Sequence, residues 1–223
     1  MARVLLTAGP TREPIDPVRY LSNASSGRTG LAIAREALRR GHTIDLVLGP
    51  IEAAPPDGAN VVRVITAREM LDACRRLHPH AEIVIGAAAV CDFRPARILT
   101  EKVQRTAEGW TLDLEPNADI LADLGGAKGP RVHIGFALEA APSLEAAASR
   151  AAQKLVSKRL DWIIVNLPEA LGRPDGSYLA LGAGGEKADW GRLAKEEMAA
   201  RLFDMAEKTL KLAPGFSDKP RRE

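Results

Sequence analysis

The chain has 223 residues, with 31 Lys and Arg against 29 Asp and Glu, for a formal net charge of +2. Hydrophobic residues at 46% and charged residues at 27% are ordinary globular values and exclude a largely disordered chain. The near-neutral balance argues against a polybasic nucleic-acid or membrane surface as the main business of the chain.

At roughly 150 residues per domain the length suits one large domain, read here as residues 1–212 followed by a polar tail over 213–223. Cys74 and Cys91 lie 17 apart with no CxxC pattern, so neither a disulfide framework nor a zinc knuckle is readable. No stretch reaches the roughly 18 apolar residues of a membrane span. Met1-Ala2-Arg3-Val4 runs straight into a strand pattern without a signal-peptide core. The expectation is a cytoplasmic protein.

In chain order, the apolar run at 4–7 predicts a buried strand, closed by Ala8-Gly9-Pro10. Leu31, Ile33, Ala34 and Leu38 fall at helical spacing within 27–40, and Gly41 stops that helix. Strands are predicted at 44–48, 61–65 and 82–87, with a helix over 67–77 between the last two. Residues 93–116 break this rhythm and read as a protruding flap, with one alternating piece at 110–114. The βα pattern then resumes: helix 118–124, strand 132–136, helix 143–159, strand 162–165. The glycine-rich stretch 167–189 is expected to be irregular with an edge strand at 178–181, and a last helix is expected over 190–212. Strands alternating with helices imply an α/β fold with a doubly wound, mainly parallel sheet of Rossmann-like type. Such sheets bind ligands at the carboxyl ends of their strands.

Two standard nucleotide signatures are missing. No GxxxxGK[ST] occurs, and no GxGxxG follows the first strand. A long loop stands there instead, ending in Ser25-Ser26-Gly27 at a helix start, where hydroxyls, backbone N–H groups and the helix dipole suit an anion. The plain alternative is that Ser26 is only an N-cap. Lys154 and Lys158, four apart on one helical face, suit either phosphates or solvent. His78 and His80 flank Pro79 with no third metal ligand in reach.

The stretch from Ala8 to Gly27, AGPTREPIDPVRYLSNASSG, closely resembles phosphopantothenoylcysteine synthetase, also called phosphopantothenate–cysteine ligase. Further matches follow in family order: Ile85-Gly86-Ala87-Ala88-Ala89-Val90-x-Asp92-Phe93, Glu101-Lys102, Asn117-x-Asp119-Ile120, Gly135-Phe136-Ala137-x-Glu139, and Lys154-x-x-x-Lys158-x-x-Asp161-x-Ile163-x-x-Asn166. The resemblance implies a ligase of coenzyme A biosynthesis that joins 4′-phosphopantothenate to cysteine. The carboxylate attacks the α-phosphate of CTP (or ATP in eukaryotic-type members) with Mg2+, giving an acyl-nucleotide and pyrophosphate. Cysteine's amine then displaces the nucleotide. It implies nucleotide contacts at Gly9, Ser25, Gly27, Gly30, Asp92, the Ala118-Asp119-Ile120-Leu121 turn, Phe136 and Asn166, with Lys154 and Lys158 at the triphosphate. Ala88 and Ala89 match a substrate-contacting backbone segment. Lys102 matches the lysine of the first half-reaction, and Asn23 the asparagine of acyl-nucleotide turnover. A homodimer closed by the flap is implied, and no FMN, because the first strand begins near residue 3. The chain departs from the family at Lys102-Val103-Gln104-Arg105 (family K-x-K-K) and at Asn166-Leu167 (family Asn-Asp). The alternative from another class is a nucleotide-binding regulatory protein of the same fold without ligation.

Overall fold

The computed structural model describes residues 1–105 and 109–212; the expected polar tail at 213–223 and three residues of the expected flap lie outside these. In chain order the elements are β1 (Arg3–Ala8), β2 (Arg12–Pro14), β3 (Tyr20–Ser22), α1 (Arg28–Arg39), β4 (Thr43–Leu48), β5 (Asn60–Arg63) and α2 (Ala67–Leu77). Next come β6 (Ile83–Gly86), β7 (Phe93–Pro95), β8 (Leu114–Pro116), α3 (Ile120–Gly126), β9 (Val132–Leu138) and α4 (Leu144–Ser157). The chain closes with β10 (Trp162–Asn166), β11 (Asp175–Gly182), β12 (Lys187–Ala194) and α5 (Lys195–Leu212).

Eight strands form one sheet in the order β12-β11-β10-β9-β6-β1-β4-β5. The pairs from β5 across to β10 are parallel, and β11 and β12 are antiparallel additions. Val4, Leu5 and Leu6 of β1 are all fully buried, as a central strand covered on both faces requires. Helices α1 and α5 cover one face through Leu31, Ile33, Leu202 and Phe203. Helices α2, α3 and α4 cover the other, through Met70, Leu71 and Leu124 and through Ala147, Ala151 and Leu155. Local signals set the helix starts: Thr66 Oγ1 accepts from Glu69 N at 3.2 Å, and Ser143 Oγ from Ala146 N at 3.2 Å. The doubly wound α/β expectation holds.

Three readings need correction. The segment Lys187–Ala194 is a strand, so the last helix starts at Lys195 rather than 190, and the strand around 178–181 is second from the edge. Gly182–Gly185 is the turn of that hairpin, with Gly185 N donating to Gly182 O at 3.1 Å. The loop after β1 is not featureless, because β2 and β3 pair within it. Among the described residues the flap's regular part is the β7–β8 ribbon, and residues 110–113 belong to no strand.

Candidate active site at the switch point of the sheet

Strand β1 pairs with β4 on one side and β6 on the other. The connections from β1 and β6 therefore diverge at their carboxyl ends and leave a crevice between them. The first wall is the start of α1. Gly27 occupies the N-cap position in left-handed conformation (φ 73°) and offers no side-chain cap, so Ser26 does not have that role. Ser25 Oγ lies 3.4 Å from Gly27 N, and Ser25, Ser26, Gly27 and Thr29 line the cleft. A side chain at Gly30 would place its Cβ 2.3 Å from the Cβ of Ala8, so glycine there lets α1 sit directly on β1. Uncapped N–H groups at a helix start, beside the hydroxyls of Ser25, Ser26 and Thr29, suit an anion.

The second wall is the backbone segment after β6. Ala87 N donates to Thr7 O at 3.1 Å, Ala88 N to Thr7 Oγ1 at 3.3 Å and Ala89 N to Gly9 O at 2.9 Å. The Asn23 amide donates to Val90 O at 2.9 Å and to Ala89 O at 3.3 Å. Two residues beyond the predicted set fix the same segment. Buried Thr11 accepts from Cys91 N through its hydroxyl at 3.0 Å, and Asn117 Nδ2 donates to Cys91 O at 2.9 Å. Both stand inside the matched motifs, but only the fold shows what they bind. The third wall is Phe136, Leu138 and Asn166 at the ends of β9 and β10, with residues 170–172 and Lys195. Among the described residues Arg28 and Lys195 are the charged ones lining this cleft, and no carboxylate lines it.

Ser25, Gly27, Gly30, Ala88, Ala89, Phe136 and Asn166 thus share one cleft, with Asn23 bridging its two loops. Gly9 (φ 77°) lies behind it against Gly49 and Ile51. Asp92 is exposed just beyond the pinned segment, and Ala118 is exposed before α3. Asp119 caps α3 by accepting from Ala122 N at 3.1 Å and pairs with Lys158 at 2.9 Å. Ile120 is buried, and Leu121 covers Gly86 and Gly135 on the sheet. Lys154 pairs with buried Glu139 at 2.6 Å, and Arg150 pairs with the same carboxylate at 3.0 Å. These two lysines lie at the C-terminal end of α4, Lys154 in its last turn and Lys158 at its C-cap, and do not line the cleft. Lys102 is exposed on the flap and does not line the cleft; its neighbour Val103 accepts from Arg19 at 3.2 Å.

Burial pushes the Cys91 thiol up and the Cys74 thiol to about 12, so neither supplies a thiolate nucleophile at neutral pH. Among the described residues no three His, Cys, Asp or Glu converge as a metal site, and no helix is long and apolar enough to cross a membrane.

A doubly wound sheet with a helix start facing a pinned backbone segment across its switch point belongs to the Rossmann-like class of α/β proteins. The profile of the family described as "DNA/pantothenate metabolism flavoprotein C-terminal domain" matches residues 1–210, and the chain belongs to that family. The coenzyme A biosynthesis bifunctional protein CoaBC of Escherichia coli K12 is 42% identical over 167 residues, 73% of this chain and 40% of that protein. A prokaryotic protein of unknown organism named cysteine/cysteine sulfinic acid decarboxylase is 42% identical over 166 residues, 74% of this chain and 45% of that protein. The chain therefore spans less than half the length of these curated relatives. The crystal structure of the C-terminal domain of CoaBC superposes with a TM-score of 0.80 at 34% identity, covering 94% of this chain and 96% of that one.

Proposed function

We propose that this chain is a ligase that joins the carboxylate of 4′-phosphopantothenate to the amine of cysteine, with CTP and Mg2+, through an acyl-cytidylate. The observation that carries this reading is the cleft itself. The start of α1 at Ser25–Gly30, suited to an anion, shares one cleft with the Ala88–Ala89 backbone, and Asn23 ties the two sides together. That arrangement suits a phosphate on one wall and an acyl group on the other, which is what attack of a carboxylate on an α-phosphate needs. A carboxylate is a poor acyl donor, and the mixed anhydride converts one of its oxygens into a leaving group.

In this reading α1's first N–H groups and the serine hydroxyls hold the polyphosphate. Lys154 and Lys158 add positive charge from the end of α4, Asn23 orients the acyl group, and Lys102 neutralises charge as pyrophosphate leaves. Magnesium would enter on the nucleotide's own phosphates, its usual ligands, since the described residues build no cage for it.

The homodimer belongs to the same proposal. Phe93, Ile98, Trp110 and Leu114 of the flap segment are each about half exposed or more in the single chain, and a partner subunit would cover them. It would also give Lys102 a cleft to reach. The test is to incubate the protein with phosphopantothenate, cysteine and each of the four nucleoside triphosphates and weigh the products. Amide formed fastest with CTP supports the reading, and no amide with any triphosphate removes it.

A further inference from the structure

Lys195 opens α5 with only 5% of its surface exposed, yet it lines the cleft. Its ammonium donates to the carbonyls of Ala170, at 3.1 Å, and of Arg173. Its backbone N–H donates to Pro174 O at 2.9 Å. Arg28, from the first turn of α1, crosses the cleft mouth to donate to Gly172 O at 2.8 Å. Two cations from opposite ends of the chain thus converge on one short wall.

Neither has a carboxylate partner there among the described residues. Among the described residues Lys195 forms no ion pair; Asp175 and Glu196 act on it only from a distance, and Asp175 is held by Arg192 at 2.9 Å. Carbonyl dipoles satisfy two of the ammonium's three donors but do not neutralise its charge. A buried cation in that state is costly unless an anion completes it. Burial, with Arg28 nearby, holds the Lys195 pKa below the ordinary lysine value. The Arg28 guanidinium likewise keeps donors beyond the one spent on Gly172.

We infer that Arg28 and Lys195 form a phosphate site at this end of the cleft, additional to the helix start at Ser25–Gly27, and that the occupant is a terminal phosphate group of a substrate. The inference rests on the proposed function, in which both substrates bring such a group: the γ-phosphate of the nucleotide and the phosphate monoester of phosphopantothenate. The chemistry of recognition is the same for either, a dianionic phosphate against a fork and an ammonium.

Calorimetric binding of CTP, CMP, cytidine and phosphopantothenate to the wild-type chain, Arg28→Gln and Lys195→Met distinguishes the sources. Losing one charge-assisted contact should weaken the occupant about 10- to 100-fold. If CTP weakens while CMP and cytidine stay within twofold, the γ-phosphate occupies the site. If phosphopantothenate weakens and CTP does not, the pantothenate phosphate occupies it. Arg28→Lys, which keeps a charge, should recover part of the loss. Lys195→Met removes two anchors of the wall, so Arg28→Gln, an exposed side chain, decides alone if that variant does not fold. Unchanged affinity for CTP and for phosphopantothenate overturns the inference, as do equal losses for CTP, CMP and cytidine, which would mean a collapsed wall. A wild-type chain that binds none of the four ligands overturns the functional reading, and the phosphate site with it.

Discussion

The side-chain amide of Asn23 donates to the carbonyl of Val90 at 2.9 Å, although the two residues are 67 apart in sequence. This bond joins the loop that leads into α1 to the loop that leaves β6, the two halves of the switch-point crevice. Both amide protons face backbone carbonyls, Val90 and Ala89, so the side-chain oxygen is the atom left for a ligand.

Asn23→Asp replaces those donors with a carboxylate that repels both carbonyls and the acyl group. The expected result is continued formation of the acyl-nucleotide with amide formation stalled, seen as intermediate accumulating in quenched reactions by mass spectrometry. Lys102→Gln should act earlier. Loss of a preorganised charge at a developing anion costs roughly 3–4 kcal/mol, or about 10²–10³ in rate, so pyrophosphate release itself should fall. An intermediate that accumulates in Lys102→Gln but never forms in Asn23→Asp would reverse the two roles.

Gly30→Ala should destabilise the fold. The new Cβ would stand 2.3 Å from that of Ala8, and neither backbone can give way without parting α1 from β1. Overpacking of this kind costs about 1–3 kcal/mol, which for a chain of this size lowers Tm by roughly 2–4 °C per kcal/mol. A melting temperature equal to wild type would show that α1 sits less tightly than described.

The buried pair His78 and His133, with Nε2 atoms 3.1 Å apart, predicts a stability slope near neutral pH. Burial holds His133 at about 3, and burial also lowers His78. His133 stays neutral in the fold across this window and His78 is shifted the same way, whereas unfolded histidine takes a proton near pH 6.5. Protons therefore favour the unfolded chain below about pH 6.5, and stability falls as pH drops, by up to roughly 1.4 kcal/mol per pH unit for each such group. Glu36, held at about 2 by Arg39 and Arg40, titrates well below this window. Urea midpoints at pH 7.5 and 5.5 should diverge for wild type and diverge less for His133→Leu. Equal slopes would remove the histidine explanation.

The flap prediction concerns assembly. Phe93, 53% exposed on β7, should be covered by a partner subunit, so Phe93→Glu should shift a micromolar dimer towards monomer in sedimentation and reduce activity in parallel. A monomeric wild-type chain with full activity would contradict the flap's role.

The sheet was legible because its central strands are continuous apolar runs separated by helices with Thr66 and Ser143 at their starts. The edge was not. Trp190 and Leu193 mimic a helical face, but they belong to a mostly exposed outer strand whose pairing with β11 depends on the Gly182–Gly185 turn. The helix-start wall could be read from Ser25-Ser26-Gly27, since the anion site is local in sequence. Lys195 could not: it reads as an ordinary lysine inside the helix expected over 190–212, and only the antiparallel return of β11 and β12 carries it back to Arg28. Asn117 and Thr11 were hidden for a related reason, because they act on backbone atoms, which carry no residue signature.

Pyrophosphate release in the absence of cysteine isolates the proposed first half-reaction. With CTP, Mg2+ and phosphopantothenate alone, the account predicts a burst of pyrophosphate close to one equivalent per cleft, followed by steady turnover once cysteine is added. Nucleotide binding with no pyrophosphate, with or without cysteine, would contradict it and leave a regulatory nucleotide-binding protein of the same fold.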